Sequence, residues 1–288
     1  MGTSNAEMCL EGSPEKAREE HVIRARSGWQ PVHFRELWYY RGVLYIMAWR
    51  DIKLRYRQTV LGGAWAVLQP LLAMLIFTVF FGRVGRFQSG DTPYAIFAYA
   101  GLLPWTFFSN AVTLSSNSLL GNQALVSKVY FPRLFIPLGA IGALLLDLLV
   151  GLGLAFVLLF YYHRPLYLTL LLLPFFMVAA VGASAGVGLV LAALNVRYRD
   201  VKYVVPFLVQ MGMFVTPIIY PVNVAPAWTR PILALNPMTG VVLGFRYALL
   251  GEGMDWALTA GSLAVALVLF VGSVFLFRRM EVEFGDVI

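Results

Sequence analysis

The chain has 288 residues, 59% of them hydrophobic and only 13% charged, with a formal net charge of +7. A mean hydropathy of +0.73 excludes an ordinary soluble domain, which carries about a quarter of charged residues. The single cysteine, Cys9, excludes a disulfide framework, a CxxC pair and a thiolate metal site.

Residues 1–33 are polar and mixed in charge, lack the apolar core of a secretory signal, and read as a disordered cytosolic tail. Ala6 stands where myristoylation favours Ser or Thr, so no lipid anchor is assigned. Residues 34–57 read as an amphipathic interface helix. Tyr45, Trp49, Ile52 and Tyr56 fall on one helical face, and Arg50, Lys53 and Arg57 on another. Such a helix is expected to lie in the membrane interface with its aromatics in lipid. Its cations either touch anionic headgroups as a plain anchor or recruit an anionic lipid-linked substrate through charge-assisted bonds to phosphate.

The basic run RDIKLRYRQT then enters LGGAWAVLQPLLAMLIFTVFF, where no side chain from Gly62 to Phe81 is charged. At 1.5 Å per residue that is roughly 30 Å, the thickness of a bilayer's hydrocarbon core. Residues 58–288 read as one all-α membrane domain with six spans at about 62–82, 95–120, 134–160, 166–194, 204–220 and 256–277. The segment 231–250 is long enough to cross but contains Asn236-Pro237 and Arg246, so it reads as a re-entrant outer hairpin between spans 5 and 6. With both termini cytosolic, seventeen of the 22 Lys and Arg lie inside, a clear positive-inside bias.

The inner loops NQALVSKVYFP and NVRYRDVKY mix cations with polar and aromatic groups. They read either as ordinary positive-inside loops or as docking points for a cytosolic partner, with Asp200 helping to fix register. Toward the outer half the aromatics cluster, among them Phe97, Trp105, Phe108, Tyr220 and Phe245. An aromatic belt accounts for most of them, and a subset suits the stacking of sugars. Asp147 is the one acid inside a span, either hydrogen-bonded within the bundle or the centre of a proton-coupled carrier. His21, His33 and His163 are too scattered for a metal or acid/base pair, and no GxxxxGK[ST] loop occurs. If ATP drives this chain, another subunit binds it.

Six blocks in order resemble the ABC-2 type permeases of polysaccharide export, the membrane subunits of O-antigen, capsular polysaccharide and teichoic acid exporters. They are RDIKLRYRQTVLGGAWAVLQP, GLLPWTFFSN, KVYFPRLFIPL, LNVRYRDVKYVVPFLVQ, TPIIYP and NPMTGVVLGFRYALLG, and the resemblance runs from about residue 34 to 280. It implies a homodimer in the bacterial inner membrane with two ABC ATPase subunits that bind ATP and Mg, membrane lipids around it, and no cofactor or nucleic acid on this chain. The substrate it implies is a polysaccharide on undecaprenyl diphosphate. Arg50, Lys53, Arg55 and Arg57 then match a gate helix that receives the diphosphate. Lys128, Tyr130, Arg133, Arg197, Arg199 and Asp200 match the elements coupled to the ATPase. Phe97, Trp105, Phe108, Tyr220, Phe245 and Arg246 match the outer path and gate. The tail is a departure from the family. Alternatives are the Asp147 carrier, an ABC-2 exporter of a drug or small lipid, and a membrane glycosyltransferase, for which Asp51, Asp91 and Asp200 are too isolated.

Overall fold

A computed structural model describes residues 38–57, 64–84, 92–128, 131–281 and 284, and the described residues contain helices and no strand. In chain order the helices are α1 Arg41–Arg57, α2 Ala64–Phe77, α3 Tyr94–Gly121, α4 Gln123–Lys128 and α5 Phe135–Tyr161. Then come α6 Leu173–Arg197, α7 Val201–Val215, α8 Arg230–Leu235, α9 Thr239–Leu250 and α10 Trp256–Glu281. A π-helical turn, Thr78–Val84, continues α2, and a 3₁₀ turn, Leu168–Leu172, leads into α6. The predicted tail, together with residues 34–37 of the interface helix, lies outside the described residues.

Four stretches are long and apolar enough to cross a bilayer: Tyr94–Gly121, Phe135–Tyr161, Leu168–Arg197 and Trp256–Glu281. They coincide with four of the predicted spans. The other two fall on shorter apolar helices, Val67–Gly82 and Val201–Val215. Predicted span 204–220 is cut short at Val215, because the residue before a proline is pushed out of the helical region; Thr216, which precedes Pro217, is extended with ψ 138°. At Asn236-Pro237 the chain axis turns by 98° between the Ala227–Leu235 segment and α9.

The polar groups freed by that turn find partners, as they must where water is scarce. Asn236 donates to Thr216 Oγ1 at 2.8 Å and accepts from the Met238 N–H at 3.0 Å. Ser262 on α10 donates to the Asn236 carbonyl at 2.6 Å and accepts from the Gly240 N–H at 2.8 Å. Helix α9 ends at Gly251, whose φ of 66° is the left-handed cap that glycine adopts without strain.

Helix α3 is the centre of the bundle, buried along nearly its whole length. Small residues let α6 approach its neighbours. A methyl added at Gly186 would stand 2.9 Å from the Phe270 backbone nitrogen on α10, and one at Gly188 would stand 2.2 Å from Ser115 Oγ on α3. Asn195 on α6 donates to the Ser116 carbonyl on α3 at 2.8 Å. A second apolar cluster joins Met47, Val126, Phe131, Val196 and Phe277, so the ends of α4, α6 and α10 and the start of α5 share one end of the bundle.

Candidate functional site

Helix α1 does not merely cross the foot of α5 but follows it. Met47 packs where a methyl on Gly139 would be 3.1 Å away, Ala48 where one on Gly142 would be 3.5 Å away, and Tyr56 reaches Asp147. The stretch from Met47 to Tyr56 therefore tracks that from Gly139 to Asp147, about 12 Å at the helical rise. The expected aromatic face divides accordingly. Tyr45 and Trp49 are exposed and stack at 6.5 Å, whereas the Tyr56 hydroxyl turns into the bundle and donates to Asp147 Oδ1.

The four predicted cations of α1 have different surroundings. Arg50 and Arg55 line a groove of about 650 Å³ between α1, α3 and α5, whose walls include Asn117, Ser118 and Asn122. Lys53 and Arg57 are exposed, with Lys53 Nζ 5.7 Å over the Trp49 ring. Arg50 Nη2 donates to Asp51 Oδ1 at 2.8 Å and Nε to the same oxygen at 3.0 Å. Arg55 Nη2 pairs with Asp147 Oδ2 at 3.1 Å. Burial, and then the hydrogen bond to Asp147, push the Tyr56 hydroxyl up to about 12. A second, smaller pocket is lined by Arg55 and Asp147 together with Gln69 and Asn110, so Arg55 belongs to both spaces.

At the shared end of the bundle, the Arg133 N–H donates to Glu281 Oε1 at 2.9 Å and its Nη1 to the Glu281 carbonyl at 2.8 Å, tying the turn before α5 to the end of α10. Arg197, Arg199 and Asp200 are exposed between α6 and α7. Lys128 closes α4, with its side chain outside the described residues, and Tyr130 lies outside them altogether.

The predicted outer-path residues are packed inside the helical bundle. Phe97, Trp105, Phe108, Phe245 and Arg246 are buried, and Tyr220 is partly exposed. Arg246 donates to three carbonyls: Nε to Phe97 at 3.3 Å, Nη1 to Pro217 at 2.7 Å and Nη2 to Ile218 at 2.5 Å. Its guanidinium lies 3.6 Å over the Phe97 ring. The TPIIYP turn is thus pinned to α3 and α9 by one side chain.

Asp51, set aside from the sequence as an isolated acid, is paired with Arg50, and the groove's amide wall was not anticipated. Asp51 is adjacent to Arg50, which was the available signal; Asn117, Ser118 and Asn122 carry none until α3 is set against α1.

A family model described as ABC-2 type transporter matches residues 42–250. The chain belongs to that family. Among ABC-2 relatives, it is 30% identical over 252 residues to the O-antigen export system permease protein RfbA of Myxococcus xanthus, covering 86% of this chain and 96% of the relative. It is 26% identical over 253 residues to RfbA of Klebsiella pneumoniae, covering 88% and 97%. It is also 26% identical over 242 residues to the polysialic acid transport protein KpsM of Escherichia coli, covering 81% and 91%. The chain is thus a multi-pass membrane protein of the ABC-2 type.

Proposed function

We propose that this chain is the membrane permease subunit of an ATP-driven exporter that moves lipid-linked polysaccharide, most concretely O-antigen on undecaprenyl diphosphate, from cytosol to periplasm. The observation that carries the reading is a groove walled by Arg50 and Arg55 in a chain that matches O-antigen export permeases along most of its length. A guanidinium offers phosphate two parallel donors, and a groove of this size is ample for a diphosphate and its first sugar.

In this reading the chain has six spans in the inner membrane and both termini in the cytosol, and forms a homodimer with two ATPase subunits that bind ATP and Mg. Helix α1 acts as the gate helix, and the bent pair at residues 227–250 as the re-entrant outer hairpin. The ATPase docks at the end of the bundle where Lys128, Arg133, Arg197, Arg199 and Asp200 lie, and Tyr130, outside the described residues, is assigned to the same surface. Phe97, Trp105, Phe108, Phe245 and Arg246 form the packed wall behind the outer path, and Tyr220, partly exposed, stands at its rim. Asp147 serves as a counter-ion to Arg55, a structural role that supports the exporter reading over the carrier alternative.

Reversing Arg50, Lys53 and Arg57 to Glu together tests the reading. The expected outcome is loss of polysaccharide at the cell surface, with the chain still assembled in the membrane. Normal export by the triple variant would overturn the role of α1.

A further inference from the structure

Both guanidiniums on the groove wall already hold a carboxylate. Asp51 occupies Arg50, and Asp147 occupies Arg55 while also accepting from the Tyr56 hydroxyl. A wall built only to attract phosphate has no use for two neutralising acids. One of them, moreover, is carried by an otherwise apolar run, LLLDLLVG, where an ionised group is expensive to keep.

The position of the second pair matters as much as its charge. Arg55 lines the groove on one side and, with Asp147, the smaller pocket on the other. Arg55 is therefore common to both spaces. An anionic headgroup that rises through the groove shares the Arg55 guanidinium with Asp147 or displaces it.

We propose that Asp147 sets a charge threshold for the groove, holding Arg55 against the singly charged phosphodiesters of ordinary membrane lipids and yielding it to a diphosphate. This rests on the reading of the chain as an exporter of diphosphate-linked lipid. Exchanging a carboxylate for a phosphodiester replaces one unit charge by another, so the attraction to Arg55 is nearly unchanged. Meanwhile Asp147, its side chain only 15% exposed, is left without its cation. The exchange is uphill. A diphosphate brings two phosphoryl groups and more than one charge, and Arg50 stands on the same groove to receive the second. The attraction then exceeds what Asp147 supplies, while the Tyr56 hydroxyl, and the amides of Gln69 and Asn110 on the same pocket, remain as donors for the displaced carboxylate. Such discrimination works by penalising the wrong ligand rather than by embracing the right one. It suits a membrane in which phospholipids greatly outnumber any polymer precursor.

The test uses the full chain in nanodiscs, with farnesyl diphosphate as the probe, in phosphatidylcholine alone and with phosphatidylglycerol added as the singly charged competitor. In the native chain the competitor is expected to weaken probe binding only slightly. In Asp147→Asn it is expected to weaken binding about tenfold more, the shift that about 1.4 kcal/mol corresponds to. Tyr56→Phe, which removes a donor for the displaced carboxylate and keeps the charge, is expected to weaken farnesyl diphosphate binding severalfold in phosphatidylcholine alone, and an unchanged affinity in that variant overturns the threshold if Asp147→Asn does not assemble. Equal sensitivity to phosphatidylglycerol in the native chain and in Asp147→Asn overturns the charge threshold while leaving the exporter reading intact. Failure of the native chain to bind farnesyl diphosphate in phosphatidylcholine overturns both.

Discussion

Replacing Arg246 with methionine keeps most of the side-chain volume and removes the guanidinium that joins α3, the TPIIYP turn and α9. Two of its three bonds are short, 2.7 Å to the Pro217 carbonyl and 2.5 Å to that of Ile218, and the third, to Phe97, is 3.3 Å. A hydrogen bond from a charged donor contributes about 1.5–3 kcal/mol, so the two short ones together are worth roughly 3–6 kcal/mol. Relief from burying a charge offsets part of this, and stacking on Phe97 adds about 1–2 kcal/mol, leaving a net loss on the order of 3 kcal/mol. For a chain of this size that corresponds to a fall in melting temperature of roughly 6–12 °C, read by tryptophan fluorescence of the chain in nanodiscs. Gly101 supplies an internal check, because a methyl there would stand 2.9 Å from Arg246 Nη2. Gly101→Ala is expected to lower the melting temperature by less, and to add little to Arg246→Met, since both disturb one network. A melting temperature for Arg246→Met within about 2 °C of the native value would refute the reasoning, since it would put the net contribution below about 1 kcal/mol.

Gly251→Ala forces a β-carbon into a left-handed cap at φ 66° and to within 2.7 Å of the Tyr167 ring. The backbone part alone is about 1–2 kcal/mol, and a melting temperature lowered by several degrees is expected, whereas an unchanged one would show that the cap relaxes freely. The Tyr56 hydroxyl, raised to about 12, binds its proton more tightly in the folded chain than in the unfolded one. Its contribution to holding α1 on α5 is therefore complete below pH 10 and lost as pH rises through about 12. Difference absorbance against Tyr56→Phe should show one tyrosinate forming near pH 12, and a transition near pH 10 would remove the argument for its bond to Asp147.

The long spans were legible because a bilayer imposes a length and an absence of charge that a single sequence displays directly. Helices α3, α5 and α10 begin within a residue of where the apolar tracts place them. The end of α7 was missed because Thr216-Pro217 lies inside an apolar run, and hydropathy is blind to a proline's effect on the residue before it. At the site, the basic face of α1 was visible as a spacing, but which of its members meet the groove was not. Arg50 and Arg55 line it while Lys53 does not, a distinction set by how α1 leans on α5 through Met47 and Ala48. Asp147 was conspicuous as a lone acid in an apolar run. Its partners, Arg55 and Tyr56, lie about ninety residues earlier, and no periodicity within α5 points to them. Arg246 was legible as a helix-interior charge, and its three carbonyl partners belong to segments joined only by the fold.

The two attachments of α1 to α5 differ in kind, and that difference gives the helix a mechanical character. Near its middle, Met47 and Ala48 sit against glycines, an apolar contact with no preferred direction about which a rod can tilt. Near its end, the grip is an ion pair and a hydroxyl, both directional, and the ion pair is released when Arg55 finds another anion while the hydroxyl stays on Asp147. With a fulcrum at Met47 and an arm of eight residues to Arg55, about 12 Å, a tilt of about 10° carries the tip about 2 Å. A single exchanged counter-ion thus loosens one part of the helix while leaving the other seated.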